Sequence, residues 1–165
     1  MWAPSKGGMK VSDSTIANNI FYGVNTAAIW MGGASREEPM RFANVRISNN
    51  IISNGVLMSA EENVDASGLI LAGNLEKADP KFADPAAFDF HLRSDSPAID
   101  AGLALPGVGA DYDGRARQRG GRVDIGAYEY ADSSSRTAQL RAKSKTKPSD
   151  SNKAINPNCL KGASQ

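Results

Sequence analysis

A chain of 165 residues that is 41% hydrophobic has room for one domain with a modest core plus a tail, which argues against a multidomain assembly. Five Phe, four Tyr and two Trp against 16 Gly imply a core of small aliphatic residues broken by many turns. The net charge is +1, the basic tail has no interleaved aromatics to support a nucleic-acid role, and the lone Cys159 excludes an internal disulfide framework. The charge is uneven: residues 1–130 hold 12 Lys and Arg against 16 Asp and Glu, whereas residues 131–165 hold 7 against 2.

Met1-Trp2-Ala3-Pro4-Ser5-Lys6 is followed by no apolar run of signal-peptide length, and no segment reaches the length of a membrane span. The hexapeptide Ile16-Ala17-Asn18-Asn19-Ile20-Phe21 then recurs as Ile47-Ser48-Asn49-Asn50-Ile51-Ile52, and more loosely as Leu71-Ala72-Gly73-Asn74-Leu75. Such spacings suit a solenoid, with Arg36-Glu37-Glu38-Pro39 inserted as a loop in the longer repeat. An Asn at one turn of each coil can pass its side-chain amide to the Asn of the next coil and tolerate left-handed backbone. The competing reading is an antiparallel sandwich whose hairpin turns are marked by Asn-Asn. Matching copies of the whole hexapeptide favour the solenoid, with Ile16, Ile47 and Leu71 stacked in its interior.

Between the repeats, Ala27-Ala28-Ile29-Trp30-Met31, Val56-Leu57-Met58 and Leu69-Ile70-Leu71 read as further short strands, and no segment sustains a helical period. The predicted class is all-β: a right-handed parallel β-helix of about three coils over residues 1–75, a closing segment over 76–130, and a disordered basic Ser/Lys-rich tail over 131–165.

From Asn74 the text changes. Asp79-Pro80-Lys81-Phe82, Phe88-Asp89-Phe90-His91-Leu92 and Ser96-Pro97-Ala98-Ile99-Asp100-Ala101-Gly102 are followed by Asp111-Tyr112-Asp113-Gly114 and Asp124-Ile125-Gly126-Ala127-Tyr128-Glu129. This order resembles the C-terminal segment of pectin-lyase-like, right-handed β-helix proteins of the "choice-of-anchor Q" type. The resemblance implies an extracellular or cell-surface bacterial protein, with a cap at the C-terminal end of the helix and further coils upstream. Some relatives cleave or epimerise acidic polysaccharides. No plug precedes the first coil here and no sorting signal follows the last, so the chain reads as a fragment or truncated product.

As a cap, Phe82, Phe88, Phe90, Leu92, Ile99 and Ile125 would cover the open core, Pro80, Pro85 and Pro97 would set stiff turns, and Asp79, Asp84, Asp100 and Asp124 would cap backbone N–H groups. A lyase needs a base and a means of neutralising a carboxylate. Lys10, Arg41 and Arg46 are the basic candidates, and Asp13, Glu61, Glu62 and Asp65 the acidic ones, with Arg46 and Asp13 as expected neighbours. Solvated surface charge accounts for them better, so the catalytic residues stay unknown and no turnover is expected of the isolated chain. His91 is expected on the outer face of a strand, without a catalytic role.

Tyr22, Trp30 and Arg46 are candidates for polysaccharide binding. Asp111, Asp113 and Asp124 are the candidate Ca²⁺ ligands, although Arg122 stands where an EF-hand would place its Glu and an Asx-stabilised turn explains Asp111-Tyr112-Asp113-Gly114 more simply. No other cofactor, no nucleic-acid partner and no membrane span is expected.

Overall fold

Pairing between distant strands follows the repeats. The computed structural model describes residues 9–32, 39–62, 64–117 and 122–132. The chain divides into two units, 1–130 and 131–165, and the first is described below. The tail from residue 133, with Cys159, lies outside the described residues, as do Arg36, Glu37 and Glu38 of the inserted loop.

A first stretch forms β1 (Lys10–Ser12), β2 (Thr15–Ala17), β3 (Ile20–Phe21) and β4 (Ala27–Met31), and a second forms β5 (Met40–Ala43), β6 (Val45–Ser48), β7 (Ile51–Ile52) and β8 (Val56–Ala60). A third, shorter stretch holds β9 (Val64–Asp65), a 3-10 turn at Ala66–Gly68 and β10 (Leu69–Ala72). All pairing between the stretches is parallel: β1-β5-β9, β2-β6-β10, β3-β7 and β4-β8, with Leu75 bridging Ile51. Ile16 faces Ile47 and Ile47 faces Leu71, while Ile20 faces Ile51. The chain is therefore strand-rich with parallel sheets, and an antiparallel sandwich of the repeats is ruled out by these registers.

The turns explain the asparagines. Asn18 and Asn49 sit at φ near +57° and +54°, with Gly73 at +64° in the third stretch, a region open to Asn and Gly at least cost. The next residue of each turn forms a side-chain ladder. Asn19 Nδ2 donates to Asn50 Oδ1 at 3.0 Å, and Asn50 Nδ2 donates to Asn74 Oδ1 at 3.0 Å. Asn50 Nδ2 and Asn74 Nδ2 also donate to the carbonyls of Ile16 and Ile47, one stretch back.

In the two-residue strands, neighbouring side chains point to opposite faces. Ile52 joins Ile47 and Leu57 in one buried apolar cluster, with Phe21, Ile16, Ile29 and Met58 against it. Ile51 joins a second cluster with Phe82, Leu92, Ala98 and Ile125, against which Ile20 and Leu75 pack. The second cluster belongs to the C-terminal segment, whose antiparallel pair β11 (Phe82–Asp84) and β12 (Asp89–Leu92) is joined by a 3-10 turn.

Three expectations are corrected here. The C-terminal segment packs against Ile20, Ile51 and Leu75, residues of all three stretches, so it lies along their side rather than across one end. Leu71, expected in the interior, is 48% exposed because β10 is an edge strand with no further strand over it. Phe88 also provides no cover: it is 79% exposed and closes the turn at φ near +58°. The capping role is seen for Asp79, Asp84 and Asp124, which accept from the N–H groups of Lys81, Ala87 and Asp100.

Gly126 marks the closest approach between the segment and the strands. Its N–H donates to the Asn49 carbonyl at 2.9 Å, its φ is near +98°, and a Cβ there would stand 2.7 Å from Ile51 Cδ1. Gly126→Ala should destabilise the fold by about 1–3 kcal/mol through backbone strain and overpacking. Chemical denaturation measures this, and a variant as stable as the parent would show that the contact yields freely.

Candidate functional site

The side-by-side packing leaves a cleft of about 540 Å³ between the first Asn turn and the C-terminal segment. Asn18 and Phe21 line one wall, and Phe90, Val108, Tyr112 and Tyr128 the other. Tyr112 is 79% exposed and meets Tyr128 edge-on, with ring centroids 5.6 Å apart. Two aromatic rings at right angles beside a short amide side chain form a mouth suited to a flat, partly apolar ligand.

The two Asn turns differ in one respect. Asn49 Oδ1 accepts from the Leu103 N–H at 2.9 Å, and Asn49 Nδ2 donates to the Leu103 carbonyl at 2.7 Å. Asn18, its equivalent one repeat earlier, has its Oδ1 buried and without a hydrogen-bond partner. A buried acceptor in that state is costly.

Behind Tyr128 lies a titratable cluster. The His91 ring stacks on Tyr128 with centroids 4.2 Å apart, Nδ1 contacts Asp89 Oδ1, and Nε2 contacts Asp113 Oδ2 at 3.1 Å. Alternation along β12 separates His91 from Phe90, but Asp113 and Tyr128 come to rest against His91 on that face. Burial, followed by the negative charges of Asp113 and other neighbours, holds the Tyr128 phenol above its usual value. Tyr128 therefore stays a neutral hydroxyl in ordinary buffers. Sequence distance hid this grouping, since Asp113 and Tyr128 meet His91 only through tertiary folding.

Beneath the cleft, the acidic motifs are occupied structurally. Asp111 accepts from the N–H groups of Arg115 and Glu129, and Asp124 from those of Asp100 and Tyr130. Arg117 pairs with Glu129 at 2.9 Å and donates to the Gly126 carbonyl at 2.9 Å. Of the three candidate Ca²⁺ ligands, Asp111 and Asp124 thus serve backbone donors while Asp113 serves His91. Among the described residues, no group of three or more His, Cys, Asp or Glu is placed to hold a metal ion.

The proposed sugar-binding residues are dispersed. Tyr22 follows β3 and packs its ring against Phe90 at 5.0 Å and Phe82 at 6.4 Å. Trp30 is 65% exposed on β4, whereas Arg46 lies on β6 in register with Thr15 and Ile70. Asp13 accepts from Asn44 Nδ2 at 2.9 Å, its matching turn one repeat on, so Asn44 stands where Arg46 was expected. Lys10, Arg41 and Asp65 share one register row across β1, β5 and β9, and Glu61 and Glu62 follow β8.

Among the described residues, no helix is long and apolar enough to cross a membrane. Comparison with protein-family models, with curated proteins and with solved structures gave no match to this chain.

Proposed function

We propose that this chain is the C-terminal part of an extracellular, right-handed parallel β-helix protein of the choice-of-anchor Q kind, and that its role is carbohydrate binding without turnover. The observation that carries the binding role is the cleft itself, walled by Tyr112 and Tyr128 on one side with Asn18 in the lining of the other. A pyranose ring suits this mouth, with an apolar C–H face for the rings and hydroxyls for the polar groups of the lining. The carboxylates of Asp89, Asp111 and Asp113 lie around Tyr128, which favours a neutral saccharide over a uronate.

The second reading, a fragment of a polysaccharide lyase, epimerase or hydrolase, draws support from the His91 cluster. Both ring nitrogens of His91, however, already contact carboxylates, so neither can exchange a proton with a substrate without first breaking a contact.

Calorimetric titration with neutral and uronate oligosaccharides tests this. Neutral oligosaccharide should bind, and Tyr112→Ala and Asn18→Gly should each weaken binding about tenfold, close to 1.4 kcal/mol. Asn18→Gly preserves the left-handed turn, as Gly73 does one stretch further on. Trp30→Ala serves as the comparison, because Trp30 is the exposed aromatic of the sheet surface. Binding lost with Trp30→Ala and kept with Tyr112→Ala would move the site to β4. Uronate lysis, read as ultraviolet absorbance of the unsaturated product, would overturn the reading.

A further inference from the structure

Two adjoining hollows open where residues 77–81 lead from the third stretch into β11, and we infer that together they bind a phosphate monoester, its phosphate in one and its attached ring in the other. They share no lining residue with the cleft of Asn18, Tyr112 and Tyr128. The inference does not rest on the carbohydrate reading.

The hollows, of about 370 and 320 Å³, have Ser53, Asn54, Asp79 and Pro80 in common. Gly55 and Lys77 belong to the first, whereas Tyr22, Phe82, Pro85, Lys81 and Arg93 belong to the second. One is thus mainly polar, and the other sets cations beside an aromatic and proline surface.

Charge singles this place out. Residues 1–130 carry 12 Lys and Arg against 16 Asp and Glu, yet three of those cations gather here. Two carboxylates answer them. Asp79 Oδ1 accepts from the Lys81 N–H at 2.9 Å and Oδ2 meets Lys81 Nζ at 3.0 Å, while Asp95 Oδ1 meets Arg93 Nε at 3.4 Å. Glu76, the acid next to Lys77, is engaged by the Leu57 N–H at 2.7 Å. Lys77 therefore has no ion-pair partner among the described residues. The two existing pairs are solvent-exposed and weak, so an entering anion can compete for Lys81 and for the other guanidinium N–H groups of Arg93.

Backbone conformation sets the same residues apart. Asn54, Lys77 and Lys81 have φ near +60°, +59° and +56°. Asn gains local hydrogen bonds in this region, but a Lys gains none, and each such residue costs about 1–2 kcal/mol. Strain of this kind gathers at ligand sites. Two ammonium groups, a guanidinium, the Asn54 amide and the Ser53 hydroxyl together suit the three terminal oxygens of a phosphate better than the two coplanar oxygens of a carboxylate. Tyr22, 47% exposed, offers a face for the ring, with Pro85 in the same lining.

Amide NMR of the full chain at low salt tests this, with phenyl phosphate, inorganic phosphate and benzyl alcohol as probes. Phenyl phosphate should give saturable shifts at the amides of Asn54, Gly55 and Lys77. Inorganic phosphate should shift the same amides with weaker affinity, and benzyl alcohol should leave them in place. Lys77→Asn removes the ammonium at an exposed position and keeps a residue that tolerates left-handed backbone, so it should fold as the parent does and weaken phenyl phosphate binding about tenfold. Added sodium chloride should weaken binding to the parent with no change of sequence. Tyr112→Ala should leave phosphate binding unchanged, and Lys77→Asn should leave neutral-oligosaccharide binding unchanged, so the two sites fail separately. No saturable shift with either phosphate, an affinity unmoved by Lys77→Asn or by salt, or benzyl alcohol binding as tightly as phenyl phosphate would each overturn the inference. Equal affinities for the two phosphates would overturn the part given to the ring.

Discussion

Asn50→Ala should destabilise the first unit by about 3–5 kcal/mol, the larger of two expected effects in its ladder. Asn50 is fully buried, its Oδ1 accepts from both the N–H and Nδ2 of Asn19, and its Nδ2 donates to the Ile16 carbonyl and to Asn74 Oδ1. Truncation removes all of these bonds from a fully buried position and leaves the part-buried Asn19 N–H and Ile16 carbonyl without this partner, each orphaned group costing about 1–3 kcal/mol. Asn19→Ala should cost only about 1 kcal/mol, because Asn19 is exposed and Asn50 Oδ1 still accepts the backbone N–H. Asn50→Asp should be as damaging as Asn50→Ala at neutral pH, since a carboxylate oxygen would face the Ile16 carbonyl and Asn74 Oδ1. Protonation would restore a donor there, so that variant should gain stability as pH falls. Urea denaturation of the three variants measures the order, and equal losses for Asn19→Ala and Asn50→Ala would show that the ladder is not cooperative.

Glu129→Ala should be comparably severe, at about 3–5 kcal/mol, because it leaves the buried Arg117 guanidinium without its counter-charge and the Asp124 N–H without its acceptor. Glu129→Gln should be milder, since an amide oxygen can still accept from Arg117, and its value lies in the pH dependence. Two features of Glu129 oppose each other: the 2.9 Å pair with Arg117 favours the ionised carboxylate, whereas burial holds its proton affinity above the ordinary value of 4.5. Burial is the largest influence, with the charges of Asp124 and Asp111 adding to it, and it outweighs Arg117 and the Asp124 N–H. A carboxyl raised in the folded state contributes stability that is full below its unfolded value and is lost as pH rises through the folded one. The stability of the parent relative to Glu129→Gln should therefore fall as pH rises from about 4.5 through the mildly acidic range. A difference that grows with pH over that range would mean that the Arg117 pair prevails over burial.

The repeats made the parallel registers legible because one physical requirement recurs in each stretch. A turn that needs left-handed backbone and a hydrogen-bonding side chain selects Asn, and the apolar residue on either side must return to the same place. Ile16, Ile47 and Leu71 therefore align from sequence, as do Asn19, Asn50 and Asn74. The backbone-capping aspartates were legible for a similar reason, since their partners lie two or three residues away.

What the sequence determined by itself was thus local or periodic: strand-rich character, parallel pairing at the repeat spacing, the Asn turns and the Asx caps. Only the tertiary structure decided where the C-terminal segment lies, because Ile20, Ile51 and Leu75 read equally well as interior or as outer residues until a partner covers them. The same packing made the cleft, left the Asn18 Oδ1 without a partner while satisfying that of Asn49, and brought Asp113 and Tyr128 to His91. Such contacts join residues dozens of positions apart with no recurring spacing, and side-chain alternation states which face a residue takes but not what comes to rest on it.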